Sequence, residues 1–310
     1  MVFFPIVILA ISLAVLVIAS EKIVTSAVRL AQLTGFNEFT MGTIFIAIGT
    51  SLPELTISIL SVFEKTSNLS AGLLLGSSIA DMTLVFGILC FACFVLKEKD
   101  VEIVETITLS SMIVMCAFIL GRIDFTFGIF AVIVFIMYMR TIIAKHYTIK
   151  SEKKPWIITP EIAKQFAILI GSIIIVVISA KFVVSSATEI AQFFNISSVI
   201  IGSVIVGLGT VLPETVVSII AIKKKNLHLA IGNVVGSVIV NTVLILGLVS
   251  IASPIVIDGI TKIIMLSFLA ISAVLVLIAF RKTLTKKEGI LMIAIYCIFV
   301  FIVITAGVFV

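Results

Sequence analysis

Residues 42–54 read GTIFIAIGTSLPE and residues 202–214 read GSVIVGLGTVLPE, an offset of 160. A second pair follows in the same register: GLLLGSSIADMTLVFG at 72–87 and GNVVGSVIVNTVLILG at 232–247. Gly42, Gly49, Thr50, Leu52, Pro53, Glu54, Gly72, Gly76, Ser77, Ile79, Leu84 and Gly87 all recur 160 residues later without a slip. Leu and Ile match by chance in apolar sequence, but Gly-Thr-x-Leu-Pro-Glu with a downstream Gly-Ser does not, so the chain is an internal duplication.

The sequence around these repeats is built for lipid. Of 310 residues, 61% are hydrophobic and 12% charged, and the mean hydropathy is +1.39. With 21 basic and 16 acidic residues, an ordinary soluble globule could not cover its apolar interior. Apolar runs long enough to cross a bilayer lie at about 3–20, 41–62, 71–96, 104–121, 125–143, 166–185, 199–222, 229–252, 261–280 and 289–309. The expected fold is therefore an all-α membrane protein of ten transmembrane helices. Met1-Val2-Phe3-Phe4 puts no basic segment ahead of the first run, which is read as a retained helix rather than a cleaved signal. Cys90, Cys93, Cys116 and Cys297 sit in apolar runs as small packing residues.

Placing alternate loops on one side collects 17 of the 21 basic residues there, leaving Lys65, Arg122, Lys181 and Lys262 on the other. The positive-inside rule makes the richer side cytoplasmic, with both termini outside. The net charge of +5 thus reports orientation rather than a nucleic-acid partner. Three segments result: a first five-helix repeat (1–143), a cytoplasmic linker (144–164) too short for a folded module, and a second five-helix repeat (165–310). Five is odd, so the second repeat enters the membrane from the opposite side. The repeats are expected to be inverted, with a midplane site between them.

Three acids fall inside the apolar runs: Glu54, Asp81 and Glu214, with Asn241 at the position paired with Asp81. Burying each costs at least about 2.5–3.5 kcal/mol, so such residues mark function. From Glu54 the chain runs roughly 15 Å to a turn and about 18 Å back to Asp81, at 1.5 Å per residue, so both lie at similar depth. Pro53 and Pro213 have no N–H and free backbone oxygens near Gly49/Thr50 and Gly209/Thr210. Thr50, Ser51, Ser77, Thr210 and Ser237 add hydroxyls. An all-oxygen set suits hard cations such as Ca2+ and Na+ and, without His or Cys, does not suit zinc or copper. Three carboxylates in low dielectric need cations or protons, which makes the empty site unstable and exchange obligatory. Gly72/Gly76 and Gly232/Gly236 are read as close helix packing. His146 and His228 are read as solvated loop-edge residues, Lys223 to Lys225 as an orientation anchor, and Glu21 and Lys181 as interfacial, with gating the alternative.

At these residues the chain resembles the calcium/cation antiporter superfamily, particularly its prokaryotic sodium/calcium exchanger type. Gly49-Thr50-Ser51-Leu52-Pro53-Glu54 and Gly209-Thr210-Val211-Leu212-Pro213-Glu214 look like that family's paired signature, and ten helices as two inverted fives is its architecture. The resemblance implies that Glu54 and Glu214, with the carbonyls of Thr50 and Thr210, form the calcium site. It implies sodium sites from the carbonyls of Ala47 and Gly207 and the hydroxyls of Ser51, Ser77 and Ser237. It also implies that the first helix of each half slides across the core. The chain departs from the pattern in carrying Asp81 first and Asn241 second, Val211 opposite Ser51, and Leu73 opposite Asn233. These departures leave the sodium stoichiometry open.

The expected activity is antiport of Na+ for Ca2+ across the cell membrane. Calcium/proton exchange, with Glu54 or Asp81 carrying H+, is the alternative. A channel would not need inverted broken-helix repeats. An intramembrane protease lacks its residues, since Asp81 is the sole mid-membrane Asp and there is no serine motif with a His partner. No enzyme activity, cofactor, nucleic acid or obligate protein partner is expected, only the transported ions and the lipid bilayer.

Overall fold

A computed structural model describes residues 3–63, 67–91, 101–146, 159–193, 207–257, 259–280 and 284–308. The described chain is helical apart from one two-residue strand pair. Among the described residues, seven helices are long and apolar enough to cross a membrane, and a bent pair makes an eighth candidate. The protein is thus a multi-pass membrane protein.

Helix α1 (Phe3–Thr34) is longer than the apolar run at 3–20. No Gly or Pro interrupts residues 6–34, so nothing stops the helix where hydropathy falls. It continues with Glu21, Lys22 and Arg29 outward and Ile23, Val24, Ala27 and Leu30 buried. Gly35 ends it, with φ 81 and its N–H bonded to Ala31 O at 3.0 Å, the left-handed conformation that Gly enters without strain. Lys22 and Arg29, expected in a loop, therefore ride on this helix. Lys181 likewise lies within a long helix, α9 (Pro160–Phe193).

The second membrane segment is broken. It starts with α2 (Glu38–Thr40), capped by Asn37 Oδ1, which accepts from Thr40 N at 2.7 Å. A π-helical turn, π1 (Met41–Ile46), and α3 (Ala47–Thr50) follow, and the chain bends by 40° at Ser51 into α4 (Leu52–Phe63). The next segment comprises α5 (Ser67–Ala80), π2 (Asp81–Val85) and α6 (Phe86–Cys90). Helices α7 (Val101–Leu120) and α8 (Phe125–His146) are joined by strand β1 (Arg122–Ile123).

After α9, the described chain resumes at α10 (Gly207–Thr210), turns at Val211 and runs into α11 (Leu212–Lys223). It then forms α12 (Leu227–Ile239), π3 (Val240–Ile245) and α13 (Leu246–Ala252). Strand β2 (Ile255–Val256), α14 (Gly259–Ala279) and α15 (Lys286–Val308) complete the fold. The linker between 147 and 158, Cys93, Lys65 and the Gly202 end of the second motif lie outside the described residues.

The segments Ser70–Cys90 and Leu227–Ala252 are 78% and 83% buried, against 28–39% for the other spanning helices. These two are the centre of the bundle, and the rest turn apolar faces to lipid. Antiparallel pairing of Arg122 with Val256 and Ile123 with Ile255 ties the turns after α7 and α13 to one face. Close packing of the repeat glycines holds for Gly232 and Gly236. A Cβ on Gly232 would stand 2.4 Å from Phe39 O, and one on Gly236 would stand 2.7 Å from Thr43 Cα. A Cβ on Gly76 would meet no described atom within 4 Å, and one on Gly72 only Ile264 Cδ1 at 3.9 Å. α12 thus docks on α2 and π1; the stretch equivalent to α2 and π1 in the second repeat, near 199–206, lies outside the described residues, so the expectation for Gly72/Gly76 is not tested there.

Candidate functional site

The broken segments deliver the repeat motif to the centre of the bundle. Pro53 cannot bond Gly49 O, nor Pro213 Gly209 O, so both helices turn just before the proline, at Ser51 and Val211. Glu54 then falls in the first turn of α4 and Glu214 in the first turn of α11. Each is 1% exposed, as is Asp81, and Asn241 matches them. Asp81 opens π2 and Asn241 lies in π3, so both residues paired by the repeat sit on helix wound with one extra residue per turn. Such turns leave the regular ladder and concentrate at functional positions. The sequence carries no residue-type signal for them.

Electrostatically, Asp81 feels Glu54, and Glu214 feels both. All three acids thus lie within reach of one another, as the depth argument required. Among the described residues, however, no three Asp, Glu, His or Cys side chains converge as ligands on a single point.

The polar inventory is lopsided. The Thr210 hydroxyl bonds the Glu54 carboxylate, and Thr50 faces Glu214, so each half reaches across to the other's acid. Thr50 Oγ1 lies 3.1 Å from Ile46 O, 3.3 Å from Ala47 O and 3.3 Å from Asn233 Oδ1. Ala47 O also accepts from Ser51 N at 3.0 Å. Asn241 Nδ2 donates to Ser77 Oγ at 3.2 Å, and Ser77 donates to Leu74 O at 3.2 Å. By contrast Ser51 Oγ, Glu54 Oε2, Asp81 Oδ1, both Glu214 carboxyl oxygens, Ser237 Oγ and Asn241 Oδ1 are buried without a hydrogen-bond partner. Buried polar atoms are normally satisfied. Seven orphaned oxygens on the broken segments and the two central spans have the chemistry of a site for hard cations or protons. Of the expected ligands, Gly207 is described by its backbone alone, as the first residue of α10.

One further residue belongs here. Asn233, fully buried on α12, donates through Nδ2 to Glu214 O at 3.3 Å and Ser218 Oγ at 3.1 Å while its Oδ1 accepts from Thr50. It joins the bends of the two halves. In the sequence it stands out only as the polar counterpart of Leu73; its partners come from distant segments.

A sequence model of the sodium/calcium exchanger protein family matches residues 4–144 and 164–305. The uncharacterized membrane protein MJ0091 of Methanocaldococcus jannaschii is 29% identical over 92% of this chain and 93% of its own length. The sodium/calcium exchanger MaX1 of Methanosarcina acetivorans is 28% identical over 78% and 81%. Among solved structures, the sodium-calcium exchanger NCX_Mj soaked with 2.5 mM Na+ and 1 mM Sr2+ superposes with a TM-score of 0.84 at 27% identity, covering 96% of this chain and 98% of that one. A duplicated Gly-Thr-x-Leu-Pro-Glu motif at two helix bends, buried carboxyls between them and a match along both halves lead to one conclusion: the chain is a cation antiporter of the sodium/calcium exchanger protein family.

Proposed function

We propose that the protein exchanges Na+ for Ca2+ across the cell membrane by alternating access. In this reading ten helices form two inverted five-helix repeats, residues 1–143 and 165–310, with both termini outside and the 144–164 linker cytoplasmic. The strand pair is compatible with that topology, because it joins two turns that the basic-residue count assigns to the outer face.

Calcium takes the central position between Glu54 and Glu214, with the carbonyls of Thr50 and Thr210. Sodium ions use the surrounding oxygens of Ala47, Ser51, Ser77, Asp81, Gly207, Ser237 and Asn241. The observation that carries the reading is the set of buried, partnerless oxygens centred on Glu54, Asp81 and Glu214. In a medium of low dielectric the vacated carboxylates repel one another and have no water, so reorientation is costly unless ions or protons neutralise them. Loaded states cross and the empty state does not, which couples the two fluxes. The family's relation to MaX1 and NCX_Mj supports Na+ and Ca2+ as the ions.

The test is 45Ca2+ uptake by proteoliposomes loaded with Na+, with K+, or with an acid interior. Uptake that requires internal Na+ bears out the proposal. Uptake that follows the pH gradient and ignores Na+ overturns it in favour of calcium/proton exchange.

A further inference from the structure

An ion pair on α1 lies apart from the site. Lys224 Nζ lies 3.0 Å from Glu21 Oε1 and donates to Thr25 Oγ1 at 2.8 Å. Thr25 Oγ1 in turn donates to Glu21 O at 2.7 Å, so the ammonium is held on two successive turns of α1. Lys224 is displayed by a fixed turn. Lys225 N bonds Ile222 O and Asn226 N bonds Ala221 O, each at 2.8 Å, closing the end of α11 with Lys225 at φ 62. That conformation is ordinarily left to Gly, and a strained non-Gly residue there needs a surrounding structure that enforces it.

The contact lies beside a closely packed group of helices. Beside it, Ile23, Val24, Ala27 and Leu30 bury one face of α1. The α2–π1 segment meets α12 so closely that a Cβ on Gly42 would stand 2.4 Å from Leu229 O. Thr40 and Thr43, which lie between this end and the ion site, are fully buried. By the count of basic residues, this end is the cytoplasmic one.

We propose that the Glu21–Lys224–Thr25 contact is a latch: it holds the inner half of α1 to the α11–α12 turn and opens whenever the site is exposed to the cytoplasm. The proposal rests on the alternating-access reading above. Its strength suits a switch. The side chains are 59% and 32% exposed, and rim pairs of this kind shift an equilibrium by about two- to fivefold, enough to bias a state without trapping it. The repeat offset puts Lys181 at the counterpart of Glu21, with the charge reversed.

The test uses the full chain in inside-out vesicles, with Cys90, Cys93, Cys116 and Cys297 replaced by Ala and Thr43→Cys as reporter. Labelling by a membrane-impermeant maleimide is timed. Glu21→Gln and Lys224→Gln are each expected to speed labelling about two- to fivefold, an effect that fades near 1 M salt, where screening reaches about 3 Å. Glu21→Lys with Lys224→Glu is expected to restore the parent rate. Unchanged rates in both single variants, or a double variant as fast as the singles, overturn the latch. Met41→Cys, on the same turn and 1% exposed, serves as a second reporter should Thr43→Cys fail to fold. Failure of the alternating-access reading has a different signature: parent labelling that ignores both Na+ and Ca2+.

Discussion

The first repeat carries Ser51, Leu73 and Asp81 where the second carries Val211, Asn233 and Asn241. The shared residues build the frame: Gly for close approach, Pro for the bend, Glu at the first turn after it. The residues that differ decide which oxygens are spent on the protein itself. Asn241 satisfies Ser77, and Asn233 satisfies Thr50, both across the boundary between halves. Asp81 Oδ1, Ser237 Oγ and the carbonyl end of Asn241, Oδ1, stay unpaired. A duplicated scaffold has thus become a site whose amide end is partly bonded to the protein itself, through Asn241 Nδ2 and Asn233, and whose carboxyl end is open. We expect the proton or sodium ion that neutralises the third carboxylate to sit at the open end, and four experiments test how far the halves differ.

The largest effect falls on what the halves share. Glu54→Gln and Glu214→Gln should each lower 45Ca2+ transport by more than about 100-fold, since each removes a charge with no substitute in a dry site. Thermal stability should hold or rise in both, because one buried like charge is gone. A loss in only one variant would show that the repeats contribute unequally.

Next is the exchanged pair. Asp81→Asn alone should cost about tenfold in transport, the equivalent of about 1.4 kcal/mol. The combination Asp81→Asn with Asn241→Asp should recover to within about threefold, as a pseudo-symmetric site requires. A double variant no better than the single would show that the carboxyl must be on the first repeat.

Packing sharpens the contrast. Gly232→Ala pushes a methyl towards Phe39 O, 2.4 Å away, and should destabilise the protein by about 1–3 kcal/mol in a thermal melt. The smallest effect is that of Val211→Ser, which returns to the second repeat the hydroxyl that Ser51 supplies in the first. It should raise the apparent affinity for Na+ about two- to fivefold, the worth of a modest hydrogen-bonding group, as read from the Na+ dependence of Ca2+ release.

Much of this was legible in the sequence, for a physical reason. Gly, Pro and Glu within a membrane span have few tolerated roles, so their recurrence at an offset of 160 points to the bends and buried acids directly. The end of α1 was not legible. Hydropathy reports where apolar residues stop, whereas Glu21, Lys22 and Arg29 continue the helix with their charges outward until Gly35 stops it. The π-helical turns at Asp81 and Asn241 arise from one extra residue in the winding, which no residue type announces. The docking of Gly232 on Phe39 depends on which neighbour α12 meets, and the motif alone does not name that neighbour.

The most direct test of the central claim, that ions exchange at the paired glutamates, is simultaneous measurement of 45Ca2+ entry and 22Na+ exit in the same proteoliposomes. The account predicts that the two fluxes start together, keep a fixed ratio at all Ca2+ concentrations, and vanish together in Glu54→Gln and Glu214→Gln. Calcium entry that proceeds without sodium exit, or that survives in both variants, would contradict it.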